Sequence, residues 1–430
     1  MKRGNQVTMF ENAKIRNRIN SYTKADLMNY AGDLQLKKYS RLNKEELVDA
    51  IVANLLDPDV MFYRMSIYDD KTIELFERGM GNPCEVTDDE FDTACIFNEI
   101  DYGTIGNGNL FIYDEVAKAW PKVRNENFEA YRKRASWVWK CLYWTEEMYG
   151  FTPIGKFLDV INVKKGFRMT DKELLEIFDH FPLDRLWTVR GEDIFVSAVF
   201  ADNDKAVEYL LSRQAGKDYY LPSVSEVEEL YDTGALLSDP AYQDMKMFMT
   251  DEMMLPDDEA EDILYELWDK IAIEDDFHDA MQWFWNQFEF QGEEQVQKII
   301  SLYMPLANGT RMRMNRGHKP DEILTDMKFG PENMPTIVPG STHAAKMLAE
   351  AEPQIRQMGF GLDLDSNAAT IPVMQMPAGK NGPVKVTQKK IYPNDPCPCG
   401  SGLKYKNAAE GTDSYSISGL AYPLILCCAV

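Results

Sequence analysis

Tyr131-Arg-Lys-Arg-Ala-Ser-Trp-Val-Trp-Lys-Cys-Leu-Tyr-Trp-Thr-Glu-Glu-Met-Tyr149 is the stretch that decides the fold of this chain. Four apolar side chains fall on one face of it at three- and four-residue steps: Trp137, Cys141, Trp144 and Met148. This spacing is that of a helix, and an aromatic stripe of this kind is typical of a core rather than of a ligand cage. The stretch therefore predicts a helix with one buried face.

The periodicity of the surrounding sequence extends this pattern and predicts a mainly α, multi-domain protein. Helices are expected over 70–80, 87–99, 205–214 and 223–231, and the stretches 151–162 and 170–181 are expected to form a helical pair. An Asn-Gly dipeptide lies at the centre of Tyr102–Tyr113 and is typical of a hairpin turn, so two short strands are expected there. A further strand is expected over 192–200.

Composition limits the class of protein. The 430 residues carry 46 Lys and Arg against 70 Asp and Glu, a net charge of -24, so most of the surface should repel nucleic acid and anionic membranes. Seven scattered cysteines do not indicate a disulfide framework. Residues 1–30 contain no apolar signal segment, and no run reaches the roughly 18 apolar residues of a spanning helix. We therefore expect a cytoplasmic protein with no membrane partner.

The first 44 residues depart from this acidic balance. They hold ten Lys or Arg and three acids, a charge of +7, which leaves -31 for the remainder. Thr23 with Asp26 and Asn43 with Glu46 have the spacing of capping boxes, so two helices around an extended loop are expected. A basic head on an acidic body is typical of an arm that binds nucleic acid.

This head, over Ser21–Leu56, resembles SAP-like domains and the N-terminal domain of the Rho termination factor. The resemblance implies that DNA or RNA binds at the basic loop and the helix ends. Five residues are the candidates for phosphate contacts and one stacking ring: Lys37, Lys38, Tyr39, Arg41 and Lys44. The alternative is a protein-docking or purely structural helical pair with a solvated basic face, and the sequence favours neither.

A second distinctive stretch, Asn394-Asp-Pro-Cys-Pro-Cys-Gly-Ser-Gly-Leu-Lys-Tyr-Lys406, places two cysteines one residue apart before a glycine turn. It closely resembles the SEC-C motif, the zinc knuckle of the SecA C-terminal tail. The resemblance implies zinc as a cofactor, with Cys397 and Cys399 as ligands, and a protein partner at the knuckle. The family continues with Cys-Cys or His-Cys, where this chain has Ala408 and Ala409. The site is therefore incomplete, and weak zinc binding is expected.

The genetic code offers a cause for the missing ligand pair. Asn407–Thr412 can be encoded by bases that give Cys-Cys-Gly-Arg when they are read in another frame. These residues would then follow Lys-Tyr-Lys-Lys, provided that one adenine was lost from a run of adenines. We hypothesise that the sequence after Lys406 is a frameshifted tail, and its apolar end, Leu420–Val430, is unlike the rest of the chain. A naturally degenerate knuckle is one alternative. Ligation by the remote Cys427 and Cys428 is another.

The acidic body contains one strongly basic segment, Asn308–Glu322. Its form resembles a segment of uncharacterised bacterial proteins that end in a SEC-C motif. Its Pro320 is expected to begin a helix, where the missing N–H costs nothing. Four residues are candidates for an anion or partner contact: Arg311, Arg313, Arg316 and His318. A structural role at a helix N-terminus is the alternative for the histidine.

Together these features predict seven segments. In chain order they are a basic arm (1–20), the SAP-like head (21–56), a winged-helix-like helical unit (58–125), an acidic, mainly helical body (126–360), a flexible linker (361–393), the incomplete SEC-C zinc-binding motif (394–409) and a frameshifted or disordered tail (410–430).

The sequence contains no phosphate-binding glycine loop, nucleophile elbow or His-Glu-x-x-His motif, so it supports no catalytic residue and no particular enzyme. Two function classes are open. One is a nucleic-acid-associated accessory or regulatory protein that contacts DNA or RNA through its head and recruits a partner through its tail. The alternative is a zinc-dependent protein-interaction adaptor or chaperone-like factor that binds no nucleic acid.

Overall fold

The predicted helix with one buried face forms as Glu126–Met148 in the computed structural model, which describes residues 10, 13–201, 203–274, 277–288, 292–326, 336–337 and 361–362. The helix begins where the Asn125 side chain accepts a hydrogen bond from the Phe128 amide at 3.0 Å. The predicted apolar stripe is buried, with Cys141, Trp144 and Met148 fully inaccessible to solvent. The stripe is therefore part of the core, as predicted.

The described residues are mainly helical, which confirms the predicted fold class. The helices, in chain order, are α1 (Ile15–Ser21), α2 (Lys24–Asp33), α3 (Lys44–Leu55), α4 (Pro58–Ser66), α5 (Asp70–Arg78), α6 (Phe91–Glu99), α7 (Asp114–Ala119), α8 (Glu126–Met148), α9 (Ile154–Ile161), α10 (Asp171–Phe178), α11 (Ala198–Ala201), α12 (Asp204–Gln214), α13 (Val224–Thr233), α14 (Pro240–Met247), α15 (Asp257–Ala272), α16 (Phe277–Trp285), α17 (Glu293–Gly309) and α18 (Pro320–Asp326). None of these described helices combines the length and the apolar character needed to cross a membrane.

The first sheet contains the predicted hairpin. Its antiparallel strands are β1 (Cys84–Glu85), β2 (Gly103–Gly106) and β3 (Asn109–Ile112), in the order β1-β3-β2. The two turn residues, Asn107 and Gly108, have φ angles of 50° and 70°, which is the left-handed backbone that a tight hairpin turn requires. Strand β1 was not predicted, since two paired residues are too few to show a periodicity.

The second sheet is also antiparallel and packs beside α8. Its strands are β4 (Phe151–Pro153), β5 (Thr188–Arg190) and β6 (Ile194–Ser197), in the order β4-β6-β5. β6 lies within the predicted strand, whereas β4 occupies the first residues of a predicted helix. Phe151 pairs with Val196 in the register of this sheet. A partner so distant in sequence overrides the local helical pattern.

The described residues up to Ile323 belong to one compact unit, called here the first unit. The later described residues belong to a second unit, in which β7 (Thr336–Ile337) and β8 (Gly361–Leu362) pair in parallel. The predicted boundaries near residues 20, 57 and 125 fall inside the first unit and stay predictions.

Buried polar contacts attach the head helices to the rest of the first unit. Asp101 is 1% exposed and accepts hydrogen bonds from Arg18 Nε and Tyr22 Oη, both at 2.8 Å. The Tyr102 hydroxyl donates to the carbonyl oxygen of Leu55 at 2.8 Å. Because a buried carboxylate is costly without such partners, these contacts fix the position of α1 and α3.

Candidate functional site

The candidate nucleic-acid site lies on the connection between α2 and α3. Tyr39–Arg41 forms one turn of 3-10 helix, which is closed by a hydrogen bond from the Leu42 amide to the Tyr39 carbonyl oxygen at 3.0 Å. Lys38, just before the turn, has a left-handed backbone with φ 61°. A non-glycine residue in this region carries strain, and strained positions often occur at functional sites. The turn gives the loop a defined shape that the sequence pattern did not predict.

Capping boxes hold both ends of this connection. The Thr23 hydroxyl accepts from the Asp26 amide at 3.2 Å at the start of α2, and Asn43 Oδ1 accepts from the Glu46 amide at 3.1 Å at the start of α3. Both boxes were predicted. They satisfy amides that a helix start leaves without partners, so the basic loop is attached to two well-defined helix ends.

The candidate residues differ in exposure. Lys37, Lys38 and Arg41 are exposed, whereas Lys44 and Tyr39 are half-buried. The Tyr39 hydroxyl would lie only 3.0 Å from a Cβ at Gly32, so its ring packs against α2. None of the four cations forms an ion pair with another residue that the structure describes. Within the described ranges, therefore, no acid neutralises their charges.

Two other cations of the first 44 residues, both in α1, are used within the fold. Arg16 pairs with Asp49, and Arg18 pairs with the buried Asp101. Counting charges along the sequence therefore overstates the charge that the head offers to a partner. No described acid neutralises the positive charge of the connection between α2 and α3 in this way, which distinguishes this loop from α1.

The basic segment after α17 is integrated into the first unit. Arg311 is 8% exposed, its guanidinium lies 3.4 Å from the centre of the Tyr220 ring, and its Nε donates to Glu226 Oε1 at 2.7 Å. Its Nη1 donates to the Gly317 carbonyl oxygen and to the Glu322 carboxylate, each at 3.2 Å. The guanidinium thus holds two helices, α13 and α18, against the segment.

The other candidates in this segment also have partners within the fold. Arg313 Nη2 donates to Glu147 at 2.9 Å, and Arg316 Nη1 donates to the Lys217 carbonyl oxygen at 2.5 Å. His318 Nδ1 lies 3.2 Å from Glu322 at the start of α18, which begins at Pro320 as predicted. These contacts supply a structural role for the segment, and an anion or partner contact there stays a prediction.

The structure also brings together carboxyl groups that the sequence did not single out. Glu146 and Glu147 lie in the last turn of α8, and Asp269 lies on α15. Burial, with a smaller contribution from the neighbouring Glu147, raises the pKa of Glu146 to about 8. Burial and the same neighbour raise the pKa of Asp269 to about 6. The only signal in the sequence is the adjacent Glu-Glu pair, which is common on exposed helix faces.

Cys397 and Cys399 lie outside the described residues. As a donor set, two thiolates do not fit structural zinc, which takes four nitrogen or sulfur ligands, and the positions of the second pair hold Ala408 and Ala409. Within the described ranges, no three His, Cys, Asp or Glu side chains are grouped so that they could hold a metal ion. Cys397 and Cys399 alone therefore do not complete a structural zinc site.

Comparison with known proteins bears on the C-terminal stretch. A family model described as the SEC-C motif matches residues 394–407, which confirms the predicted resemblance there. The protein translocase subunit SecA of Lachnoclostridium phytofermentans (strain ATCC 700394 / DSM 18823 / ISDg) is 66% identical over 29 residues, which cover 7% of this chain and 3% of that protein. No solved structure matches the chain. The chain thus carries a short motif of SEC-C type and is similar over 29 residues to a translocase subunit. The match to the SEC-C family model ends one residue before Ala408.

Proposed function

We propose that the protein is a nucleic-acid-associated accessory or regulatory protein whose basic loop contacts DNA or RNA. Three exposed cations in the loop, Lys37, Lys38 and Arg41, carry the proposal, because no described carboxylate neutralises them although the chain has a net charge of -24. Two helices joined by a basic loop, here α2 and α3, are what the resemblance to SAP-like and Rho N-terminal domains implied, and that resemblance itself stays a prediction. Phosphate is the anion that such a loop would contact in a nucleic acid.

The exposed loop cations predict salt-dependent binding. Replacing Lys37, Lys38 and Arg41 together with alanine is expected to weaken binding of a labelled single strand, DNA or RNA, by about ten-fold or more at low salt. The slope of log K against log salt should become shallower by about 2, since each phosphate contact on a single strand contributes about 0.7. Fluorescence anisotropy over a salt series measures both quantities.

A matched variant distinguishes an effect of the loop cations on binding from an effect of the total charge. Lys118, Lys122 and Lys133 are also exposed but lie outside the head, so replacing them with alanine removes the same total charge. This control should bind as the unmodified protein does. Equal losses in the two triple variants, or no binding by the unmodified chain at low salt, would refute the proposed site.

The second candidate function is a zinc-dependent adaptor that recruits a protein partner through residues 394–407. The SEC-C match to these residues favours it. Recruitment of a partner at these residues is compatible with nucleic-acid binding by the head. Partner recruitment without nucleic-acid binding is the alternative function. Since Cys397 and Cys399 supply only two thiolates, this candidate function requires two further zinc ligands. They would come either from remote residues or from a restored second cysteine pair.

Zinc stoichiometry tests the donor set. The chain as it stands is expected to retain well under one zinc after dialysis, whereas the double variant Ala408→Cys/Ala409→Cys is expected to retain about one, because four thiolates complete the tetrahedron. Elemental analysis of both proteins, purified side by side, gives the numbers. One zinc in each would mean that other residues supply the missing ligands and that the hypothesis of an incomplete site is wrong.

A further inference from the structure

The connection between α14 and α15 carries an exposed apolar surface that has no part in the proposed function. Met247 is 54% exposed and Met254 is 79% exposed, while Met253 and Leu255 are half-buried beside them. The backbone between the two exposed methionines is mostly helical, so their Cα atoms lie within about 15 Å of each other. A single exposed apolar residue is ordinary, but apolar residues grouped in this way form a surface that a partner can cover.

The backbone at this surface departs from a regular helix end. Phe248–Glu252 continues α14 as a π-helical turn, a rare geometry that is frequent at functional sites. Met254 follows the last helical position, Met253, and has a left-handed backbone with φ 59°. Glycine is the usual residue at a left-handed helix end, because a side chain is strained there. The exposed methionine therefore benefits neither the helix end nor the core.

The same connection is strongly acidic. Residues 247–259, called here the acidic methionine segment, contain five acids and no lysine or arginine, and all five acids are exposed. Three of them lie in the first turn of α15, where the helix dipole favours negative charge. Asp251 and Glu252 lie at the C-terminal end of the π-helical turn, where the dipole opposes negative charge. Helix stability therefore accounts for three of the acids but not for these two.

Asp251, Glu252 and Met254 thus lie within four positions of one another, and each opposes the local preference of the backbone. Residues that break local rules without a gain for the fold are typical of functional sites. From this combination we infer that the acidic methionine segment binds a cationic, apolar segment of a partner protein. Flexible methionine side chains adapt to apolar groups of different shape, and the acids attract the lysines and arginines around those groups. A purely cationic partner would leave the methionines exposed.

A fluorescently labelled peptide, Leu-Lys-Lys-Leu-Leu-Lys-Leu repeated twice, tests this inference on the full chain by anisotropy. At about 0.15 M salt it is expected to bind saturably, with a Kd below about 100 µM. One control peptide has serine in place of leucine and keeps the charge, and another has glutamate in place of lysine and keeps the apolar residues. Each is expected to bind about ten-fold more weakly or not at all. No saturable binding of the first peptide, or equal binding of the serine peptide, overturns the inference.

The apolar contact is assigned by a pair of serine substitutions. Met247→Ser with Met254→Ser removes exposed side chains only and is expected to weaken peptide binding about ten-fold. Leu183→Ser with Leu221→Ser makes a matched change at positions that are 47% and 52% exposed and lie outside the segment. This control should bind the peptide as the unmodified protein does. Equal losses in the two variants would refute the assignment to the methionines.

The charged contact is assigned in the same manner. Asp251→Asn with Glu252→Gln is expected to weaken peptide binding about five-fold and to make it less dependent on salt, because opposite charges across a contact are screened by ions. Asp204→Asn with Glu208→Gln removes two exposed charges from α12 and leaves the total charge the same as in the first variant. Peptide binding that falls equally in both would mean that only the net charge of the chain attracts the peptide, against the inference.

Met254→Gly separates binding from stability. Glycine adopts the left-handed backbone without strain, so the variant should unfold at the same or a higher urea concentration while its peptide binding falls several-fold. A lower unfolding midpoint would show that the methionine supports the fold and would contradict a role in binding. Self-association of the unmodified chain at low salt that is lost when Lys37, Lys38 and Arg41 are replaced would identify a second copy as the occupant, and it would overturn the assignment to a partner protein.

Discussion

Replacing Arg311 with methionine is expected to destabilise the first unit by about 3 kcal/mol. The guanidinium is 8% exposed and is the cation that the Glu226 and Glu322 carboxylates share. Methionine has a similar length but leaves both acids without their cation, and removing one partner of a buried pair costs about 3–5 kcal/mol. We expect the lower end because the two carboxylates are 22% and 36% exposed and keep part of their hydration.

Chemical denaturation at pH 7 measures the loss in free energy of unfolding, and two further variants serve as comparisons. Arg311→Lys keeps the charge but loses the planar fork over the Tyr220 ring, so an intermediate loss is expected. Glu322→Gln alters the more exposed partner and should cost under about 1 kcal/mol. A loss with Arg311→Met no larger than that of Glu322→Gln would show that this guanidinium does not hold the segment in place.

Local signals explain which parts of the fold could be predicted. A capping box joins residues three apart, so Thr23 with Asp26 and Asn43 with Glu46 mark helix starts before any tertiary contact is known. The hairpin is equally local, because the Asn-Gly dipeptide adopts the left-handed backbone of its turn without help from distant residues. Helix and hairpin assignments made on this basis were confirmed.

Long-range partners explain what could not be predicted. β4 pairs with β6 more than forty positions later in the chain, and nothing near Phe151 specifies that partner. The same limit applies to buried charges: Asp101 accepts from Arg18, and Lys140 lies between Asp69 and Asp232. Along a chain with 70 acids, no single carboxylate stands out as the one that will be buried.

The candidate sites show this limit most clearly. The sequence identified the charged residues of the loop and of the segment after α17, but not their partners. In the loop, the structure describes no carboxylate paired with the cations. In the segment, Arg311 and Arg313 bind Glu226 and Glu147, which lie far away in the sequence. Charge alone therefore did not distinguish a cation that faces solvent from one that holds the core together.

Glu146→Gln is expected to stabilise the protein at pH 8 and to change little at pH 5. Burial, reinforced by the Glu147 carboxylate, raises the pKa of Glu146 from 4.5 to about 8, while Ser197 and Arg313 lower it in part. Between pH 4.5 and about pH 8, the folded chain keeps the proton on Glu146 that the unfolded chain releases. The folded state therefore binds more protons, and its stability falls as the pH rises through this window, by up to about 1.4 kcal/mol per unit.

Glutamine mimics the protonated carboxyl group and cannot ionise. The variant therefore does not lose the stability that the unmodified protein loses when Glu146 ionises. We expect its gain to be on the order of 2–4 kcal/mol at pH 8 and to vanish towards pH 4.5, where both forms are neutral in the folded state. Glu192→Gln removes the same charge from an exposed position and should follow the pH profile of the unmodified protein. Urea denaturation of all three proteins from pH 4.5 to 9 measures the difference. Parallel profiles for the two variants would contradict a Glu146 carboxyl group that stays protonated at neutral pH. A gain confined to Glu146→Gln above neutral pH would support it.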